Sequence, residues 1–430
     1  MLEKTKIDRT NLSVLGILIR VARVQQGYSL RSLSALTNIS HTLISNIEQG
    51  KQPPSEATLA DIFKVLKLKL YTSSDIETKM AYFYKTIFLN IVNHHYEEAF
   101  ILVKEMEENG DVYENSLEVV NYLIIRCLFY TITDTFLEEK DKLLVQYEKV
   151  VDFFTVEQKQ LFYFIRGLNY LNTDNYKLAS DYFETALTIG NKDLDVVIKE
   201  YLVRAYIRQY KFTDSVAIAQ SAIEEFEAKT IYVRAMKCRI LIARVYLSIL
   251  KLDKAMKLLI YVESFAKQFN LVILTNECHV LRAGVLFFNN DYNNSLKELE
   301  LHTNQESRWL VLPRFRNYLM NKDEKLYSYY EEIMERKQNI ITESKYLLIN
   351  VLMMWLNVET RNDLEYISSL NKLREISIKT NDQELIGLSH NLLIMFYKEK
   401  HKYKKALEIS EALLKYKKIH ISFYSIKNIM

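Results

Sequence analysis

Between Ser29 and Lys51 the chain concentrates side chains suited to recognition through hydrogen bonds and charge: Arg31, Ser40, His41, Thr42, Ser45, Asn46, Gln49 and Lys51. Nothing comparable points to catalysis. There is no GxGxxG, GxxxxGK or HExxH, and the eight His are scattered; His94 and His95, the one adjacent pair, read as a helix end rather than a metal site. Cys127, Cys238 and Cys278 stand singly in apolar contexts without CxxC or Cys/His spacing, as core thiols in a reducing compartment would. The chain therefore reads as a non-enzyme without a metal or cofactor, and the chemistry to explain is binding.

Short helices must position that polar set. Leu30, Leu33 and Leu36 mark an amphipathic helix with Ser29 as its N-cap. Asn38 and Ile39 break it, and Ser40 caps a second helix, HTLISNIEQ, whose Ile44 and Ile47 face inward; Gly50 and Pro53-Pro54 end that helix. VLGILIRVARVQQ, closed by Gly27, supplies an apolar helix ahead of the pair, and SEATLADIFKVLKL supplies one behind it.

This pattern resembles the lambda-repressor-like, or XRE-type, helix-turn-helix domain, through Arg23, Gly27, Ser29, Leu33, Ile39, Ser40, Ile44, Glu48 and Gly50. The resemblance implies that Arg23 pairs with Glu48 and that the second helix of the motif enters the DNA major groove by its N-terminus, where the four base pairs are distinguishable. Ser40, His41, Thr42, Ser45 and Asn46 would then reach base edges or nearby phosphates, and Gln49 and Lys51 the backbone. Leu30 stands where the family has a polar phosphate ligand, so Arg31 would take that role. Asn38 replaces the turn glycine and tolerates the left-handed conformation.

The 430 residues include only 8 Gly and 3 Pro, which leaves little for hairpins or glycine-rich loops and predicts an all-α chain. The net charge of +3 is uneven: residues 1–70 hold ten Lys and Arg against five Asp and Glu, leaving the remainder at −2. A basic head on a near-neutral body suits a chain that sets only its N-terminal part on a polyanion. The first residues, MLEKTKIDRTNLS, lack an apolar signal core, and nowhere do 18 apolar residues run together, so a cytoplasmic, non-membrane protein is expected.

The expected domains are a head over 1–68, a polar connector over 69–78 and repeats over 79–430. Tyr163, Gly167, Tyr170, Ala179, Phe183 and Ala186 fall where the tetratricopeptide repeat places aromatic and small residues. Counting from Ala179, the small residue recurs at Ala217, Ala255 and Ser295; Ala99 lies two repeats earlier and Ala406 three later, giving about nine helix pairs. Pro313 is expected to break the block Trp309 to Tyr330, and HISFYSIKN to cap the last repeat or hold a partner. Such a solenoid presents first helices along a concave, peptide-binding face. Stepping from Gly167 assigns to that face Asn121, Phe164, Asn172, Lys199, Tyr206, Gln209, Lys237, Arg244, Glu277, Asn350 and Asn391. Their amides could bond a peptide backbone, and Lys199, Lys237 or Arg244 a terminal carboxylate.

An XRE-type head on a right-handed tetratricopeptide-type solenoid of this length resembles the RRNPP regulators, the Rgg, PlcR, PrgX and NprR group. The resemblance implies a cytosolic, quorum-sensing, homodimeric transcription factor that binds a near-palindromic double-stranded operator and is controlled by a short signalling peptide. Two alternatives stay open: an adaptor whose repeats bind a protein partner, and a Rap-like response-regulator-binding protein, against which the sharp helix-turn-helix argues.

Overall fold

A computed structural model describes residues 9–134, 144, 145, 147, 148, 151–190, 192–336 and 341–416. Among the described residues the chain is helical, apart from one isolated parallel β-bridge between Tyr71 and Ser116. It divides into two compact units, 1–169 with 184–195, and 170–183 with 196–430.

The head opens the first unit: α1 (Arg9–Gln25), α2 (Leu30–Thr37), α3 (His41–Glu48) and α4 (Glu56–Leu66). Ser29, Ser40 and Ser55 cap α2, α3 and α4, accepting from the backbone N–H groups of Ser32, Leu43 and Thr58. Asn38 takes the expected left-handed turn at φ 58°, and Gly50 does so at φ 62°. Leu33, Ile44, Ile47 and Ile62 are sealed in the core with Leu15 and Ile19. Gly16 permits this packing, because a Cβ there would lie 2.6 Å from the Ile47 carbonyl oxygen. Leu36, expected on the apolar face, is instead 54 % exposed, since an eight-residue helix buries only one stripe.

The first unit continues through α5 (Ser74–Val92), α6 (Tyr96–Glu108), α7 (Gly110–Glu114), α8 (Val119–Ile132), a 3-10 turn (Val151–Phe153) and α9 (Val156–Asn172). Because α5 starts at Ser74, the connecting segment is shorter than the polar stretch suggests. The remaining helices are α10 (Tyr176–Ile189), α11 (Lys192–Arg208), α12 (Phe212–Ala228), α13 (Tyr232–Ser248), α14 (Leu252–Gln268), α15 (Val272–Phe288), α16 (Tyr292–Glu300), α17 (Arg308–Asn321), α18 (Lys325–Glu335), α19 (Glu343–Leu356), α20 (Asp363–Thr380), α21 (Gln383–Glu399) and α22 (Tyr403–Leu414). Eight helix pairs are formed by the described residues. The partner of α8 falls largely outside them, as does the expected C-terminal cap HISFYSIKN.

One turn recurs inside the pairs. His94, Asp174, Tyr210, Leu250, Asn290 and His401 all have φ between 54° and 66°. The N–H of the next residue donates to the carbonyl five residues back, as from His95 to Asn90, Lys211 to Tyr206, Lys251 to Tyr246 and Lys402 to Tyr397. This is the Schellman closure, usually given to glycine. Here Asn, Asp, His and even Tyr and Leu adopt it, so the chain makes its turns with few glycines.

These turns fix a register that differs from the expected one. From Ala179 the buried small residue recurs at Ser215, Ala255 and Ser295, each 0 % exposed, whereas Ala217 faces solvent. The misplacement came from preferring alanine to serine: the Ser215 hydroxyl donates to the Lys211 carbonyl at 2.7 Å and is thereby satisfied inside the pair. Pro313 does not break the chain either. It lies within α17, and α17 with α18 forms a regular pair.

Ser215→Leu should overpack the α11/α12 contact and cost about 1–3 kcal/mol, while Ala217→Leu should stay within about 0.5 kcal/mol. Urea unfolding of the two variants checks this, and the opposite ranking would overturn the register.

Candidate functional site

In the head, α3 projects its N-terminal turn into solvent. Ser40, His41 and Thr42 are exposed and Ser45, Asn46 and Gln49 half-buried. His41 Nδ1 lies 3.0 Å from Thr42 Oγ1, and Gln49 Nε2 donates to Ser45 Oγ at 3.0 Å. Arg31 and Lys51 are exposed at the flanks. The predicted polar set is thus brought onto one solvent-facing edge, and its groups can donate and accept in the manner that base edges and phosphates require.

Buried polar bonds hold that edge. Arg23 Nε and Nη2 donate to Glu48 at 2.5 and 2.8 Å, and Arg23 Nη1 reaches the Tyr28 carbonyl at 2.8 Å. This bidentate pair, implied by the family resemblance, ties α1 to the end of α3. Sequence reasoning missed two further ties: Ser34 Oγ donates to the Ile39 carbonyl at 2.5 Å across the turn, and Gln26 Nε2 donates to the Leu66 carbonyl at 2.6 Å.

The head is also seated on the body of its own unit. Leu117 packs against the head core, and the Tyr71 N–H donates to the Asn115 carbonyl at 2.8 Å. From there a polar chain runs inward: Asn121 donates to Glu118 at 2.8 Å and accepts from Gln158 at 2.8 Å. Asn121 is therefore engaged between α8 and α9 rather than offered to a ligand. Phe164, also expected in the groove, is 1 % exposed and belongs to the core.

In the second unit, α11, α13 and α15 start 40 residues apart, so residues at that spacing occupy equivalent places. Lys237 Nζ lies 2.9 Å from Glu277 Oε1, a bond spanning one such period, which marks a shared face. Two helical turns along, the same face carries Arg204 and Arg244, and Gly284 on α15. Of the predicted groove residues, Lys237, Arg244 and Glu277 are thus brought together. Arg204, missed earlier, is found by subtracting 40 from Arg244.

The others are placed differently. Lys199 pairs with Glu225 on α12 at 2.5 Å, toward its own hairpin partner. Tyr206 lies under the Lys211 ammonium, 4.1 Å from its ring centre. Gln209, 5 % exposed, donates to the Tyr176 carbonyl at 2.8 Å and to Ser180 at 3.0 Å. Asn350 accepts from the Tyr330 hydroxyl at 2.8 Å, Asn391 is 7 % exposed within α21, and Asn172 is half-buried at the end of α9. Gln209, in the turn after α11, and Asn391, on α21, depart from the expected open face because both pack against protein.

A polar seam joins early and late repeats of this unit. Arg208 donates to Asp382 at 2.6 Å and to Glu384 at 2.5 Å; Arg316 meets Glu384 at 2.9 Å, and Asn381 donates to Gln209 at 3.0 Å. Asp174 accepts from Thr342 at 2.5 Å and lies 3.2 Å from Lys345. Burial would raise the pKa of Glu384, but Arg208 and Arg316 hold it down, to about 2. Burial also acts on Glu277, where Lys237 and Arg204 outweigh it and keep the group anionic.

The helix-turn-helix family profile matches residues 19–72. The transcriptional activator NprA of Geobacillus stearothermophilus is 19 % identical over 397 residues, covering 86 % of this chain and 95 % of NprA. A Rap protein solved with competence and sporulation factor superposes with a TM-score of 0.63 at 16 % identity, over 81 % of this chain and 98 % of that one. NprR solved with its cognate peptide NprX gives 0.60 at 16 %, over 79 % of this chain and 100 % of that one. The chain shares the fold of Rap and NprR. The helix-turn-helix is the domain matched in sequence, over residues 19–72, and the repeats supply the helical fold shared with Rap and NprR.

Removing Arg23 leaves the Glu48 carboxylate buried and unpaired. Arg23→Ala should destabilise the head by about 3–5 kcal/mol, seen as an early phase in urea unfolding followed by hydrogen exchange of α1–α4; unchanged protection there would contradict the tie. At the seam, a carboxylate whose pKa is depressed by folding adds stability above its unfolded value, and this is lost as pH falls. Glu384→Gln should melt below the parent at neutral pH, with the gap closing as pH falls from the ordinary 4.5 toward about 2. A gap independent of pH would mean that the Glu384 charge does not hold the seam.

Proposed function

We propose that this chain is a cytosolic transcriptional regulator that binds operator DNA through α3 and is controlled by a short linear signalling peptide held by the repeats. The observation that carries the reading is the solvent-facing edge Ser40–Asn46, fixed by capped helices and the Arg23–Glu48 pair on a basic head. That arrangement has a use on a polyanion with readable edges and little use elsewhere. The name of NprA and the peptide complexes of Rap and NprR support the rest of the reading. Regulators that read DNA with one such helix per subunit commonly do so as dimers, so the operator is proposed to be near-palindromic, with half-sites about one helical turn or a multiple apart.

Control by peptide is a linkage. A ligand shifts operator affinity only by binding one conformation better, and a coupling of about 1–3 kcal/mol changes affinity about 5- to 150-fold. The head seated on residues 115–118 gives such a shift a physical route, because Leu117 belongs to the head core while Glu118 and Asn121 belong to the body.

The test is an operator titration on the gene's own upstream DNA, with and without synthetic peptides from neighbouring small reading frames. Specific binding shifted by one peptide is expected. Binding indifferent to every peptide would favour the adaptor reading, and absence of specific binding would remove the DNA reading. In the same assay His41→Ala and Asn46→Ala should each cost about 1–3 kcal/mol at the specific site, and a variant with unchanged affinity leaves the base-reading set.

A further inference from the structure

The face defined by Lys237 and Glu277 has an unbalanced charge pattern. Arg204 bonds Glu200 at 2.7 Å, Arg208 bonds Asp382 and Glu384, and Lys237 bonds Glu277. Glu200 is shared with fully buried Arg234 at 2.6 Å, and Glu384 with Arg316. Five cations thus share four carboxylates. Arg244 is the one left over: it is exposed, and among the described residues no hydrogen bond or ion pair engages its guanidinium, although Glu277, Arg204 and Arg208 all lie within electrostatic reach.

We propose that Arg244 is the seat for a carboxylate of the ligand held on the α11–α13–α15 face, an inference that rests on the peptide reading above. Its partners within the protein are already committed, since Glu277 is taken by Lys237 and Glu200 by Arg204 and Arg234. A guanidinium presents parallel N–H donors that fit one carboxylate in bidentate fashion, and a ligand carboxylate would offset the Arg244 charge. The surroundings favour that exchange. Crowding by protein lowers the Arg244 pKa, Glu277 opposes this, and Arg204 and Arg208 add to it, so the cation is poorly served by what surrounds it.

The place on the face also selects among the three basic residues considered for this role. Lys199 points to Glu225 on its hairpin partner and Lys237 is bonded across the repeat, so either would have to surrender a carboxylate to take another. Arg244 surrenders nothing but water. Two sources present the required group, the C-terminal carboxylate of a peptide or an Asp or Glu side chain within it.

The probe is a pool of random heptapeptides prepared in three forms: free acid, C-terminal amide, and free acid lacking Asp and Glu. Each is incubated with full-length protein, retained peptides are identified by mass spectrometry, and the best are titrated against the parent, Arg244→Gln and Arg244→Lys. We expect the parent to lose affinity about 10- to 100-fold when the decisive carboxylate is amidated, the range for one charge-assisted bonded pair. Loss on C-terminal amidation assigns the terminus, and loss only in the pool lacking Asp and Glu assigns a side chain. Arg244→Gln should bind acid and amide forms alike, with Arg244→Lys restoring part of the difference, and thermal melting shows that both variants fold. A parent that binds all three forms equally, or an Arg244→Gln that keeps the full preference, overturns the proposal while leaving peptide binding intact. Retention of no peptide from any pool removes the groove reading and this inference with it.

Discussion

Most of the described repeats depend on a single residue held in left-handed conformation where the first helix ends. Because that residue turns the chain so that the next N–H bonds a carbonyl five residues back, it sets which side chain opens the next helix and hence which faces meet. The spacing of 40 residues between Tyr210, Leu250 and Asn290 is what aligns Lys237 with Glu277 and Arg204 with Arg244. Tyr210 and Leu250 occupy this conformation against their steric preference, a local cost offset by burying one apolar stripe per helix, such as Ala255, Leu259 and Val262 on α14.

The head was legible in the sequence because its signals are local. Ser40 caps three residues ahead, Asn38 turns in place, and the Arg23–Glu48 pair came with the family pattern rather than with any spacing that could be derived. The all-α class followed from the scarcity of Gly and Pro. The register was only half legible: Ala179, Ala255 and Ser295 were placed correctly, but a serine doing an alanine's work at Ser215 shifted the count by two. Gln209 and Phe164 were assigned to an open face that packing closes, and Arg204 was passed over.

The seam was not legible at all. Arg208 and Asp382 are separated by 174 residues, and their meeting depends on the accumulated rotation of every repeat between them. No pairwise pattern in the chain encodes such a sum. Asp174 gathers Thr342 and Lys345 around one carboxylate for the same reason.

The seam joins helices distant in sequence through side chains, a construction with a mechanical consequence. A stack of hairpins is stiff along each buried interface, where apolar packing tolerates little displacement, and the seam adds charged groups largely withdrawn from water, Asp382 being 1 % exposed. Salt screens such partly buried pairs much less than surface ones. The second unit should therefore behave as rigid leaves under a clasp that acid loosens more readily than ionic strength, while each hairpin keeps its form.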